Sequence, residues 1–286
     1  FYGATYLFDQ IGKDLGVTED LKACFPDTYK QILSVAYFLI LEENNPLSRF
    51  LHWQKYHIHP YGEDLPSQRS SDLFQSIEEA GRMMFFRKQG KRRLEKEYWA
   101  FDTTSISSYS EALEQVKKGN NKEHDRLPQL NLALLFGEES GLPFYYRKLA
   151  GNIADVATIR ELMEEFDVMG YKQIKLVLDR GFYSQKNINA LFTHHQRMPA
   201  FSELSLNGKL FVEFVALIFL SYVKKKMQDA KLFEKWTLQG LLDEMDSIEL
   251  FEAPAHGRIL GEITKKQEQL YRDLGVNPPS LYIPGR

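Results

Sequence analysis

Cysteine is almost missing from this chain. Its 286 residues hold one, Cys24. No disulfide can form within the chain, and a reducing compartment, the cytoplasm, suits it. An excess of charge of one sign is missing as well. The net charge is −3, which excludes a global positive field, so a nucleic-acid partner must be held by local basic patches. A membrane-length apolar run is also lacking. The longest, Leu210 to Val223, has 14 residues and contains Glu213, against roughly 20 for a bilayer span. No membrane partner is expected. The first residues, "FYGATYLFDQ", have neither an initiator Met nor a basic lead, and Asp9 interrupts them. No signal peptide is expected, and the true start can lie upstream.

What is there reads as a folded α/β chain: 43% of residues are hydrophobic and 26% charged, both ordinary for a globular protein. Residues 1 to about 90 read as helical. "DTYKQILSVAYFLILEEN" puts Tyr29, Ile32, Leu33, Ala36, Tyr37, Ile40 and Leu41 at helical spacing, with Asn44, Asn45 and Pro46 to stop it. "SSDLFQSIEEAGRMMFFRKQG" reads as one further helix, capped at Ser70 or Ser71 and closed by Gly90. It runs into a basic cluster, Arg87, Lys88, Lys91, Arg92 and Arg93. That cluster is either a solvated helix end or a phosphate contact.

The texture changes near Glu97. "EYWAFDTTSISSYS", "QLNLALLFG" and "LPFYYRKLAG" read as three strands of an antiparallel meander, with Gly141 in the last turn and Pro143 at a strand start. A helix follows from Asp155 to Gly170, then a strand, "KQIKLVLD", then a helix after Ser184. This order predicts a mixed sheet flanked by helices, of RNase H-like type. The first strand carries Asp102 and the fourth ends on Asp179, 77 positions later (179 − 102). Two carboxylates converging at strand ends can hold Mg²⁺ (or Mn²⁺), which prefers hard oxygen donors, and such metals serve phosphoryl transfer. Gly181 allows close backbone approach to a phosphate. Arg180 can pair with one in bidentate fashion. Taken singly, an acid after a strand is more often a helix cap or a surface residue; two acids in the two expected elements bring the metal reading level with that one.

"WAFDTTSISSYS", "DRLPQLNLALLFGEESGLPFYYRKLAGNIADVATI" and "IKLVLDRGFYSQKNINALF" closely resemble bacterial insertion-sequence transposases of the DDE type. "LNGKLFVEFVALIFLSYVKKKMQDAKLF" and "LQGLLDEMDSIELFE" resemble them too. The resemblance implies that Asp102, in "DTTS", and Asp179, in "DRGFYS", are the first two catalytic carboxylates and metal ligands. It implies a metal-dependent DNA cleavage and strand-transfer enzyme acting on terminal inverted repeats and target DNA. The family also has a third acid, a Glu in a pattern of Tyr, Arg, Glu and Lys on a later helix. No match to that pattern occurs here. The nearest echo is Tyr222, Lys225 and Asp229. The chain goes from "NALFTHH" through "QRMPAFSELS" to "LNGKLFVEF", which reads as an internal deletion joined near His195 to Phe201.

Glu213 follows Asp179 with 33 residues between (213 − 179 − 1), a spacing near that of other DDE enzymes. It sits in a stretch apolar nearly all round, so a buried, protonated acid is expected and not a ligand. Glu203 is no better a substitute. Among the bases, Arg147 and Lys148 alternate along the third strand, and one of them can face DNA. Lys224, Lys225 and Lys226 complement a helix C-terminus, with DNA contact second. His194 and His195 point about 100° apart on a helix. His52, His57 and His59 have no cysteine or acid at zinc-ligand spacing.

The expected organisation is residues 1–95, a helical DNA-binding or dimerisation region, then 96–200, an incomplete RNase H-like core, then 201–286, C-terminal helices that pack on the core or form a homodimer. The activity expected is that of a transposase impaired by loss of the third acid. Two alternatives stand beside it: an inactive relic that binds DNA or oligomerises with active copies, and a metal-dependent nuclease.

Overall fold

The computed structural model describes residues 1–43, 45–92, 98–107, 129–150, 166, 176–177, 202–253, 257–280 and 282–283, with 101–107 given by backbone and register alone. The helices expected over 155–170 and after 184, the join near 195–201, Asp179, Arg180, His194 and His195 lie outside the described residues. The chain forms two compact units, one of Phe1–Ser70 with Phe219–Arg286 and one of Ser71–Ile218. The mixture of helices and sheets is that of an α/β protein.

The second unit contains the expected meander. β1 (Trp99–Ser107), β2 (Gln129–Gly137) and β3 (Pro143–Ala150) pair antiparallel in turn. The turn between β2 and β3 uses Gly141 at φ 68°, where a Cβ would be strained. β4 (Leu176–Val177) lies on the other side of β1 and runs parallel to it, giving the order β3-β2-β1-β4. β2 is therefore an inner strand, and Leu132, Ala133, Leu134, Leu135 and Phe136 are all buried. Both faces of a strand so placed must be apolar, which is why it reads as a continuous run and not an alternation.

One helix was expected between Ser70 and Gly90, but there are two. α5 (Ser67–Ser76) and α6 (Glu79–Lys91) are separated where Ile77 drops into the core, 2% exposed, and Glu78 becomes extended. Burial of Ile77 overrides the helical continuity of the sequence. Phe86 of α6 meets the rings of Tyr145 and Tyr146 on β3 at 5.1 and 5.2 Å. A long helix, α7 (Glu203–Asp229), adds Phe211 and Phe214 to the same cluster. Gly208 lets α7 touch α5: a Cβ there would lie 1.9 Å from the Phe74 carbonyl oxygen. By length and composition α7 could cross a membrane, but 78% of its apolar window is buried within the protein. It is a core helix here.

The first unit joins the two ends of the chain. α1 (Gly3–Asp14), α2 (Val17–Cys24) and α3 (Tyr29–Leu41) lead it. Every residue of α3 from Ile32 to Leu41 is buried, as an all-apolar helix requires. A short 3₁₀ turn, Leu47–Arg49, and α4 (Phe50–Trp53) follow. From the C-terminal side come α8 (Leu238–Asp246) and α9 (Lys265–Asp273), each opened by a threonine cap. The Tyr2 and Gly3 amides donate to the Ile248 carbonyl, and the buried Tyr271 hydroxyl donates to the Gly3 carbonyl at 2.9 Å. The C-terminal region was expected to be helical. It also holds a three-stranded antiparallel sheet, β5 (Leu250–Ala253), β6 (Gly257–Leu260) and β7 (Tyr282–Ile283). These strands are two to four residues long, too short for an alternating pattern to show in the sequence.

Candidate active site

β1 holds Asp102 in the middle of its ladder. Its register partner on β2 is Leu134, whose partner on β3 is Tyr146. Two residues on, Thr104 pairs with Leu132 and Leu132 with Lys148. Asp102 and Thr104 are thus in register, through β2, with Tyr146 and Lys148. On the other side of β1, Trp99 pairs with Leu176 and Ala100 with Val177. Trp99, 1% exposed, anchors that end of β1 through Phe144 at 4.4 Å and Phe166 at 5.7 Å.

The two bases singled out on β3 are both half-buried. Lys148 forms an ion pair with Glu203 at the start of α7. This pair was not foreseen. It engages both residues, so a turn of either toward DNA or metal must first break the pair. Tyr145 and Tyr146 are buried at 3% and 5% exposure. Both turn inward because the rings of α6 and α7 cover this edge strand. Lys224, Lys225 and Lys226 are also engaged. Lys224 is largely buried, which lowers its pKa, with Glu43 acting against the shift. Lys225 pairs with Asp229 at 3.1 Å, and Lys226 lies 5.5 Å over the Tyr222 ring.

Glu213 is fully buried on α7, as its apolar setting predicts. Neither of its oxygens has a hydrogen-bond partner, and the nearest cation, Lys209 Nζ, is 4.0 Å away. Desolvation pushes its pKa up to about 7, only partly opposed by Lys209. Beside it, the Tyr146 hydroxyl makes no hydrogen bond of good geometry. Burial pushes that phenol up to about 12, although the Arg82 guanidinium alongside acts to lower it. Arg82 Nε is itself buried without a partner. Sequence reasoning missed Arg82, and took Tyr146 only as one of the strand residues alternating with Arg147 and Lys148.

Among the described residues, the histidines at 57 and 59 are engaged by other partners. His57 pairs with Asp246 at 2.8 Å and stacks on Trp53. His59 is buried beside Ser34, 3.0 Å from its hydroxyl. Among the described residues no group of three His, Cys, Asp or Glu side chains is placed to hold a metal. The acids proposed for one, Asp102 and Asp179, are a backbone position on β1 and a residue outside the described ones.

Residues 94–209 match the family model of the transposase DDE domain. The span is less than half of the chain. It includes Asp102 and Asp179 and stops short of Glu213. No curated protein matches the chain, and no solved structure does. A transposase domain implies DNA as a partner, and DDE transposases typically use divalent metal ions. The match over 94–209 supports, for this chain, an insertion-sequence transposase of the DDE type.

Proposed function

We propose that the chain is a DNA transposase whose metal-binding pair is Asp102 and Asp179, on an incomplete RNase H-like core, and that it is impaired in cleavage and strand transfer. One observation carries the pair. The parallel register of β1 and β4 has an offset of 77 (176 − 99 and 177 − 100), and the same offset separates Asp102 from Asp179. Two more residues of the same pairing would set the two acids level on neighbouring strands. Neighbouring strands lie about 4.8 Å apart, within reach of ions bound at roughly 2 Å from each oxygen.

The donor set fits a hard divalent cation: two carboxylates, with no thiolate and no imidazole in the reading. Asp102 and Asp179 would hold Mg²⁺ or Mn²⁺, which supplies Lewis-acid activation of phosphate and attacking oxygen when bound. Arg180, next in the chain, would offer a phosphate contact. Arg147 remains a candidate for DNA, whereas Lys148 must first leave Glu203.

Impairment is supported by the acids downstream. Glu203 is engaged by Lys148, and Glu213 is buried with a raised pKa. Neither is available as a third ligand, so a relic that binds transposon ends or pairs with active copies is the reading next in line. The test incubates the chain with a labelled duplex of the element's own inverted repeat and Mg²⁺ or Mn²⁺. Binding without 3′-end cleavage is expected. Specific cleavage lost in Asp102→Asn would contradict impairment. Unspecific nicking abolished by Asp179→Asn would make the chain a nuclease instead.

A further inference from the structure

The seam between α7, α6 and β3 contains four buried polar atoms that make no hydrogen bond of good geometry in an otherwise aromatic setting, with the Arg82 guanidinium close enough to the Tyr146 hydroxyl to act on it. They are both carboxyl oxygens of Glu213, the hydroxyl of Tyr146 and Nε of Arg82. Around them stand Phe85, Phe86, Phe211 and Phe214, each at most 3% exposed. The titratable and charged groups acting on or coupled to Glu213 among the described residues are Lys209 one turn back on α7 and Tyr146 from β3, and Arg82 from α6 stands beside Tyr146. None gives the carboxylate a hydrogen bond. A buried carboxylate with no donor is costly, whereas the neutral acid is far less so.

We infer that Glu213 is a proton-binding site built into the folded unit, and that release of its proton loosens the seat of α7 on α6 and β3. This does not depend on the transposase reading. The sign follows from the two states. In the unfolded chain the group ionises near 4.5, and in the folded one near 7. The folded state therefore holds the proton over that window, and stability falls as pH rises through it, levelling above about 7. One pKa unit is tenfold in the folding equilibrium, so the whole window is worth a loss on the order of 100-fold.

Thermal unfolding of the full chain between pH 5 and 8.5 tests this. The transition midpoint of the wild type is expected to fall with pH relative to that of Glu213→Gln, which mimics the protonated acid. The two should agree at pH 5 and separate by pH 8, with Glu213→Gln the more stable. Parallel profiles, or a glutamine variant less stable at pH 8, would overturn the proposal. A second reading holds even where Glu213→Gln does not fold: carbon-13 NMR of the glutamate carboxyls in the wild type. One carboxyl should titrate near neutrality, and higher still in Lys209→Met. Titration of every glutamate below pH 5 would overturn it equally.

Discussion

His59 and Glu213 are both buried and ionisable, but burial moves them in opposite directions. For His59 the charged form is the protonated one, so desolvation lowers its pKa to about 4, helped by His57 and opposed by Asp64. The unfolded histidine takes its proton near 6.5. Stability from a neutral His59 is therefore present above pH 6.5 and lost as pH falls toward 4. Chemical unfolding at pH 7 and pH 4.5 should show the loss, and His59→Gln should reduce it; an equal loss in the variant would count against the assignment. The sequence made Glu213 legible because nine apolar residues surround it in "LFVEFVALIF". It left His59 illegible, because "HWQKYHIH" says nothing of Ser34, 25 positions back, whose hydroxyl His59 meets.

At the level of elements, the strands were the clearest. β1 and β3 fall within stretches marked by aromatic residues and β2 within a continuous apolar run, and Gly141 sits where the turn demands it. The break at Ile77 was not visible, since only tertiary burial decides it. Close helix contacts were equally hidden. Gly208 is where α7 meets the backbone of α5. Gly208→Ala should lower stability by about 1–3 kcal/mol or more, since the added methyl must push rigid backbone aside. A thermal midpoint unchanged from wild type would show that the contact is looser than drawn. By contrast, α9 opens with a capping box of Thr264 and Gln267. Thr264→Ala should cost about 1 kcal/mol, measured by denaturant midpoint, while a surface substitution such as Lys265→Ala should cost little.

For the molecule as a whole, the two units should respond to pH with opposite slopes, His59 favouring higher pH in one and Glu213 lower pH in the other. DNA binding cannot come from net charge. It is expected to rest on clusters such as Arg87, Lys88 and Lys91, so affinity should fall steeply with salt, by about 0.9 in log–log slope for each phosphate neutralised. An affinity equal at low and moderate salt would contradict this. The union of chain ends in one unit had no sequence signal, because it rests on backbone hydrogen bonds such as Tyr2 to Ile248. The expected metal pair, Asp102 and Asp179, lies partly outside the described residues; the β1–β4 register has the same offset of 77 that separates the two acids in the sequence. Iron-directed cleavage tests the pair most directly. Fe²⁺ with ascorbate and peroxide, replacing Mg²⁺, cuts polypeptide next to its ligands. The account predicts paired cuts near Asp102 and Asp179, suppressed by excess Mg²⁺ and both lost in Asp102→Asn. Cuts at one position alone, at neither, or persisting in Asp102→Asn would contradict it.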